Sequence, residues 1–166
     1  MLARYRKGHP ALEQVVFRVG TILGRATDNQ ITALFLRRRP LVIRGAWSPF
    51  VFVWDQDVVR CLERAVADGP AGIYNVAGDG TLSMAEIAER MGRRPLVVPA
   101  ALLQAGLAVL KPFRLSRYGP EQLDFLRYRP VLANDRLKQV FGFVPSLTSA
   151  ATFELWRSAH SATALP

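Results

Sequence analysis

Cysteine is almost missing from this chain. Cys61 stands alone among 166 residues, so no intrachain disulfide can form and stability has to come from packing. Histidine is nearly as scarce. His9 and His160 are far apart and have no thiol beside them, which excludes the close ligand spacing of a zinc site. Long apolar runs are missing too. The longest nearly uncharged stretch, residues 95–110, contains two prolines and Gln104 and stops at Lys111, short of the roughly 20 apolar residues that cross a bilayer. No secretory pattern opens the chain, because Arg4, Arg6 and Lys7 lead straight into His9-Pro10. These absences predict a cytoplasmic protein without a metal centre or a membrane span.

What is present is half hydrophobic and includes every residue type, the composition of a globular domain that can bury a core. Cys61 lies in the periodic stretch Val58, Val59, Leu62, Ala65, Val66, where a lone cysteine serves as a small core residue. The formal charge is +9, from 22 Lys+Arg against 13 Asp+Glu. Lysine occurs only at Lys7, Lys111 and Lys138, so the excess is carried by arginine. Such a balance raises nucleic acid as a partner. The arginines are nevertheless scattered, and the one run, Arg37-Arg38-Arg39, falls at the end of an expected helix, where the dipole favours cations. A nucleic-acid role therefore ranks last. A surface facing an acidic partner domain or a phosphorylated ligand would carry the same imbalance.

Strands and helices alternate along the chain. Val15-Val16-Phe17-Arg18-Val19 reads as a buried strand ended by Gly20. Thr27 or Asp28 is expected to cap a helix over residues 27–38, closed by Pro40. Leu41-Val42-Ile43 and residues 50–54 read as strands, with Asp57 expected to cap a helix to Ala67. Ile73-Tyr74-Asn75-Val76 is the next strand. Ser83-Met84-Ala85-Glu86 then fits the S-x-x-E capping box of a helix that Gly92 ends. Leu96-Val97-Val98-Pro99 is a further strand, followed by helices over residues 100–110 and from Pro120 with Leu123 and Leu126. Asn134 is expected to cap a short helix ended by Gly142, and a last helix starts near Ser146 or Thr148. The small polar tail, residues 157–166, is expected to be flexible. The rhythm predicts an α/β fold with no internal repeat.

Five segments, in order, resemble the C-terminal half of the extended short-chain dehydrogenase/reductase superfamily, the NAD-dependent epimerase/dehydratase group. Phe17-Arg18-Val19-Gly20-Thr21-Ile22-Leu23-Gly24 resembles its strand of the form R-x-x-x-x-x-G. Residues 52–57 resemble its strand-to-helix segment ending in an aspartate. Gly72-Ile73-Tyr74-Asn75-Val76-Ala77 is similar to its G-x-Y-N-V-A/G strand, and residues 83–86 to the helix start that follows. Residues 134–145, through Phe141-Gly142-Phe143-Val144-Pro145, resemble its closing K-x-x-x-x-L-G-W/F-x-P region.

The resemblance implies a partial Rossmann-like sheet, the last strands only, joined to a small α/β substrate-binding lobe. Residues 1–25 and 57–80 would complete the dinucleotide-binding sheet, with 26–56 and 81–156 forming the lobe. NAD or NADP is the cofactor of the complete family fold. Two family features are absent: no glycine-rich G-x-x-G-x-x-G turn occurs, and Tyr5 is followed by His9, not lysine, four positions on. With neither the phosphate cradle nor the Tyr-x-x-x-Lys acid/base pair, the chain is expected to begin mid-protein, with no catalytic residue and no cofactor bound alone. The resemblance places Val19 and Gly20 beside the nicotinamide and Thr21 beside the substrate. Arg127 and Arg129 fall where the family often contacts a ligand anion. Pro49-Phe50 stands where nucleotide-sugar enzymes commonly carry a phosphate-binding arginine, which favours a less polar ligand. The expected partners are a small-molecule substrate in the complete protein and either a second copy or a dinucleotide-binding half, since a partial sheet leaves strand edges open.

Overall fold

The computed structural model describes residue 5 and residues 8–9, 11–103, 105 and 129–162. In chain order these form β1 (Val15–Val19), β2 (Thr21–Leu23), α1 (Gln30–Phe35), β3 (Leu41–Arg44) and β4 (Phe52–Trp54). There follow α2 (Asp55–Ala67), β5 (Gly72–Val76), α3 (Met84–Arg90), β6 (Leu96–Pro99), α4 (Asp135–Gln139) and α5 (Ser149–Ala162). The strands pair two by two, β1 with β5, β2 with β4 and β3 with β6, and every pair is parallel. Parallel partners cannot be joined by a tight turn, so each pair is closed by intervening chain that includes helix, as the alternating pattern predicts.

The first two pairs meet at Gly20. Its amide donates to the Val76 carbonyl at 2.9 Å, and the next amide, Thr21, donates to Val51 at 3.0 Å. The chain thus leaves β5 and joins the β4 segment within one residue. A Cβ on Gly20 would lie 3.1 Å from the Val51 carbonyl oxygen, so the absence of a side chain permits the switch. Gly78 plays the matching part after β5. A Cβ there would lie 2.7 Å from the Leu147 carbonyl oxygen and 2.9 Å from that of Phe52.

Strand alternation places two cores on opposite faces of β4. Phe52 joins Leu23, Phe35, Phe50, Leu82, Met84, Ile87, Phe153 and Trp156. Val53 joins Cys61, Tyr74, Val76, Leu137 and Phe141. Phe35 lies edge-on to Phe50, Phe52, Phe153 and Trp156 with centroids 5.3–5.8 Å apart, the geometry that ring quadrupoles favour. Cys61 is fully buried, and burial, with Asp57 nearby, pushes its thiol up to about 12, as expected of a packing residue.

The capping box at α3 forms as the sequence predicts. Ser83 Oγ accepts from the Glu86 amide and Glu86 accepts from the Ser83 amide at 2.7 Å. Gly92 ends the helix at φ +63°, and the amides of Gly92 and Arg93 bond the carbonyls of Glu89 and Ala88, a Schellman closure.

Other ends differ from expectation. α1 is capped by Asn29, whose Oδ1 accepts from Ile31 and Thr32, because Thr27 Oγ1 is already engaged by the Gly24 amide. It closes at Leu36, so Arg37, Arg38 and Arg39 lie exposed beyond it. The Leu36 carbonyl is met instead by Arg93.

Asp57 is no cap. α2 starts two positions earlier, and the fully buried Asp57 carboxylate accepts the Ser146 amide at 2.9 Å, with Arg60 at 3.3 Å. Asn134 precedes α4 but makes no capping bond, since its Nδ2 donates to the Ala77 carbonyl and to Asp79. Thr148 caps α5 through Oγ1, which accepts the Ala151 amide.

α5 continues to Ala162. Arg157 pairs with Glu154, and the His160 ring packs 4.6 Å from Trp156. Residues 100–103 and 105 are helical; the other positions of the helix expected over residues 100–110, and the helix expected from Pro120 with Leu123 and Leu126, lie outside the described residues. No helix among the described residues is long and apolar enough to cross a membrane.

Candidate functional site

A cleft of about 370 Å³ opens at the carboxyl end of β1. It is lined by Arg18, Val19, Gly20 and Thr21, by Pro49, Phe50 and Val51, and by Arg129, Pro130 and Leu132. Three stretches distant in sequence thus converge on one opening. β1 delivers the first because its pairing with β5 stops at Val19 and Gly20 turns the chain toward β4. The second is delivered by a turn in which Ser48 takes φ +45°. That left-handed conformation costs a non-glycine residue on the order of 1–3 kcal/mol. It directs Pro49 and Phe50 into the cleft wall, and Phe50 is held by a bridge to Leu82.

Arg129 closes the third side. Its guanidinium carbon lies 3.9 Å from the Phe50 ring centroid, a cation–π contact. Burial pulls its pKa below the ordinary arginine value, and arginine still remains protonated at neutral pH. Among the described lining residues the only charged side chains are Arg18 and Arg129, both cationic.

Of the sequence-expected positions, Val19, Gly20, Thr21 and Arg129 share this cleft. Arg127 lies outside the described residues. Pro130 and Leu132 were not anticipated, and nothing in their local sequence marks them as site residues. Arg18 enters the sequence argument only through the motif of its strand.

A second, smaller cleft of about 220 Å³ lies between residues 78–81 and 131–135. At its edge Asp79 accepts Lys138 Nζ at 2.5 Å and Asn134 Nδ2 at 2.9 Å. These two bonds, Lys138 foremost, hold the Asp79 carboxyl below its ordinary pKa. Asn75 Nδ2 donates to the Ala133 carbonyl at 2.8 Å, fastening β5 to the strip that lines both clefts. Among the described residues no group of three histidine, cysteine or acidic side chains could hold a metal ion.

A dinucleotide's pyrophosphate would meet acids at two of the helix starts, Asp55 and Asp57 in the first turn of α2 and Glu86 in that of α3. Carboxylates there occupy the positive helix end that would otherwise receive a phosphate.

Parallel strand pairs, crossover helices and a cleft at a strand's carboxyl end make this an α/β fold similar to the Rossmann-like epimerase fold. UDP-glucose 4-epimerase from Thermotoga maritima, solved with UDP-glucose, superposes with a TM-score of 0.64 at 16% identity, over 98% of this chain and 50% of that one. A dTDP-glucose 4,6-dehydratase from Bacillus anthracis, in complex with NAD, gives 0.63 at 13% identity, over 96% and 48%. A human epimerase family protein with NADPH gives 0.60 at 22% identity, over 88% and 49%. At these identities the likeness is one of fold.

Uncharacterised proteins of Mycobacterium tuberculosis and Mycobacterium bovis are 26% identical over 145 residues, 87% of this chain. The chain spans only 39% of their length. No family model matches the sequence.

Proposed function

We propose that the chain is the C-terminal, substrate-binding portion of an NAD(P)-dependent epimerase/dehydratase/reductase-like protein of the cytoplasm. By itself it neither holds the cofactor nor turns over substrate. The observation that carries this reading is the meeting of Val19, Gly20, Thr21 and Arg129 in one cleft at the carboxyl end of β1. Open α/β sheets bind their ligands outside the carboxyl ends of parallel strands. Residues singled out by resemblance from two distant segments come together at such a place. The missing glycine-rich turn and Tyr-x-x-x-Lys pair, and the acids at the two helix starts, support the second half of the proposal.

The coding DNA upstream of Met1 tests the reading. It is expected to continue in frame into a glycine-rich strand-to-helix turn and a Tyr-x-x-x-Lys pair. An in-frame stop codon directly before Met1, with no such segment encoded nearby, would overturn it.

A second reading, a non-catalytic module that pairs with another copy or with a separate dinucleotide-binding chain, is favoured by the two-stranded pairing of β1 and β5. Val19 and Ile73 are among their large apolar residues left exposed. Light scattering on the purified chain decides it: a dimer supports this reading, and a clean monomer at high concentration removes the homodimer.

A further inference from the structure

Two short segments of the chain carry one pattern. Arg38-Arg39-Pro40-Leu41-Val42-Ile43 and Arg93-Arg94-Pro95-Leu96-Val97-Val98 differ only at the last position. Each leads into a strand, β3 and β6, and the parallel ladder sets Leu41 against Leu96, Val42 against Val97 and Ile43 against Val98. The two copies are therefore aligned residue for residue. Two hydrogen bonds carry the alignment ahead of the strands. The Leu96 amide donates to the Pro40 carbonyl at 2.8 Å, and the Arg93 guanidinium donates to the Leu36 carbonyl. Arginines far apart in sequence thus stand in neighbouring connections.

The end of α1 does not account for them. Arg93 already meets the Leu36 carbonyl, so one guanidinium answers that helix end. Among the described residues none of Arg37, Arg38, Arg39 and Arg94 takes part in an ion pair, and all four are exposed. Arg90, nearby on α3, is by contrast answered by Glu154 at 3.1 Å. Residues 36–41 and 91–99 contain no acid. Like charges set against one another on neighbouring strands cost stability, and an anionic surface laid over them removes that cost.

The apolar neighbours select the kind of surface. Leu36 and Leu96, which flank the arginines in the chain, are 40% and 43% exposed, and no aromatic side chain stands in either connection. A nucleic acid offers phosphates, and bases that stack on aromatic rings, but nothing that rewards an aliphatic side chain. The interfacial layer of an anionic bilayer accepts both, arginine at the headgroups and leucine at the acyl boundary.

We propose that the face formed by residues 36–39, 93–94 and Leu96 docks the protein peripherally on an anionic phospholipid membrane. Arg37, Arg38, Arg39 and Arg94 meet the headgroups, and Arg93 positions the two connections by joining them.

The test co-sediments the purified full chain with vesicles of phosphatidylcholine alone and with vesicles of an equal mixture of phosphatidylcholine and phosphatidylserine. Binding to the mixture is expected to be at least about tenfold stronger, since each arginine near an anionic surface contributes roughly fivefold in partitioning. Arg39→Gln with Arg94→Gln, one from each copy, should lower that binding about tenfold or more. Arg25→Gln with Arg44→Gln removes the same charge from exposed positions outside the face. It should lower binding about threefold or less, because screening confines the attraction to charges close to the surface. Leu36→Ser should weaken binding about threefold. Should circular dichroism show the first pair unfolded, Arg37→Gln with Arg38→Gln, confined to one connection, decides the point.

No preference for the mixture, equal losses from the two arginine pairs, no loss with Leu36→Ser, or tighter binding of a duplex oligonucleotide than of the mixed vesicles would each overturn the proposal. None of these results bears on the cleft, so the substrate-lobe reading stands or falls separately.

Discussion

At the scale of single residues, the structure ties particular side chains to measurable stability. Ser83→Ala removes the acceptor of the Glu86 amide and should cost about 1 kcal/mol in urea denaturation. The reciprocal partner gives a pH signature. The Ser83 backbone and side-chain bonds hold the Glu86 carboxyl below its ordinary 4.5. A group whose pKa is lower folded than unfolded adds stability above the unfolded value and loses it as pH falls through the folded one. Melting temperature should therefore drop on acidification below pH 4.5, and Glu86→Gln, which retains the oxygen acceptor, should flatten part of that slope. Asp57→Ala leaves the Ser146 amide without its acceptor and should cost about 1–3 kcal/mol; Asp57→Asn, which keeps an acceptor oxygen, should cost less. Cys61, buried and with its thiol raised to about 12, should resist thiol reagents in the native chain and react promptly in urea. Rapid native labelling would contradict its place in the core.

Among elements, the ring cluster around Phe35 joins α1 to β4 and α5. Phe35→Ala should cost about 3–5 kcal/mol by thermal or chemical melting, the range for a large buried ring. What was legible in the sequence at this scale was local. The strand runs, the Ser83 capping box and the Gly92 ending depend on residues a few positions apart. Two of the misread ends share a cause: side chains able to cap are used by tertiary partners. Asp57 serves Ser146, and Asn134 serves Ala77 and Asp79. Composition around Asp57 or Asn134 gives no sign of partners 89 or 57 positions away. The same limit explains the cleft. Val19, Gly20 and Thr21 could be singled out by resemblance, but that Pro130 and Leu132 face them follows only from the folded path. Gly45 and Pro49 mark a turn in the sequence, but nothing marks Ser48 as its left-handed residue.

For the whole molecule, the proposed function is a division of labour, argued from the cleft at the end of β1 and the acids at the starts of α2 and α3. On the proposed reading the cleft takes a small substrate and the cofactor is held elsewhere in the complete protein. The fold likeness extends over about half of each solved epimerase or dehydratase chain. Isothermal titration of NAD⁺, NADH, NADP⁺ and NADPH into the purified chain addresses the division itself. The expected result is no saturable binding in the micromolar range for any of the four. A micromolar dissociation constant for one of them would show that the chain holds its own cofactor, and would contradict the assignment of this polypeptide to the substrate side alone.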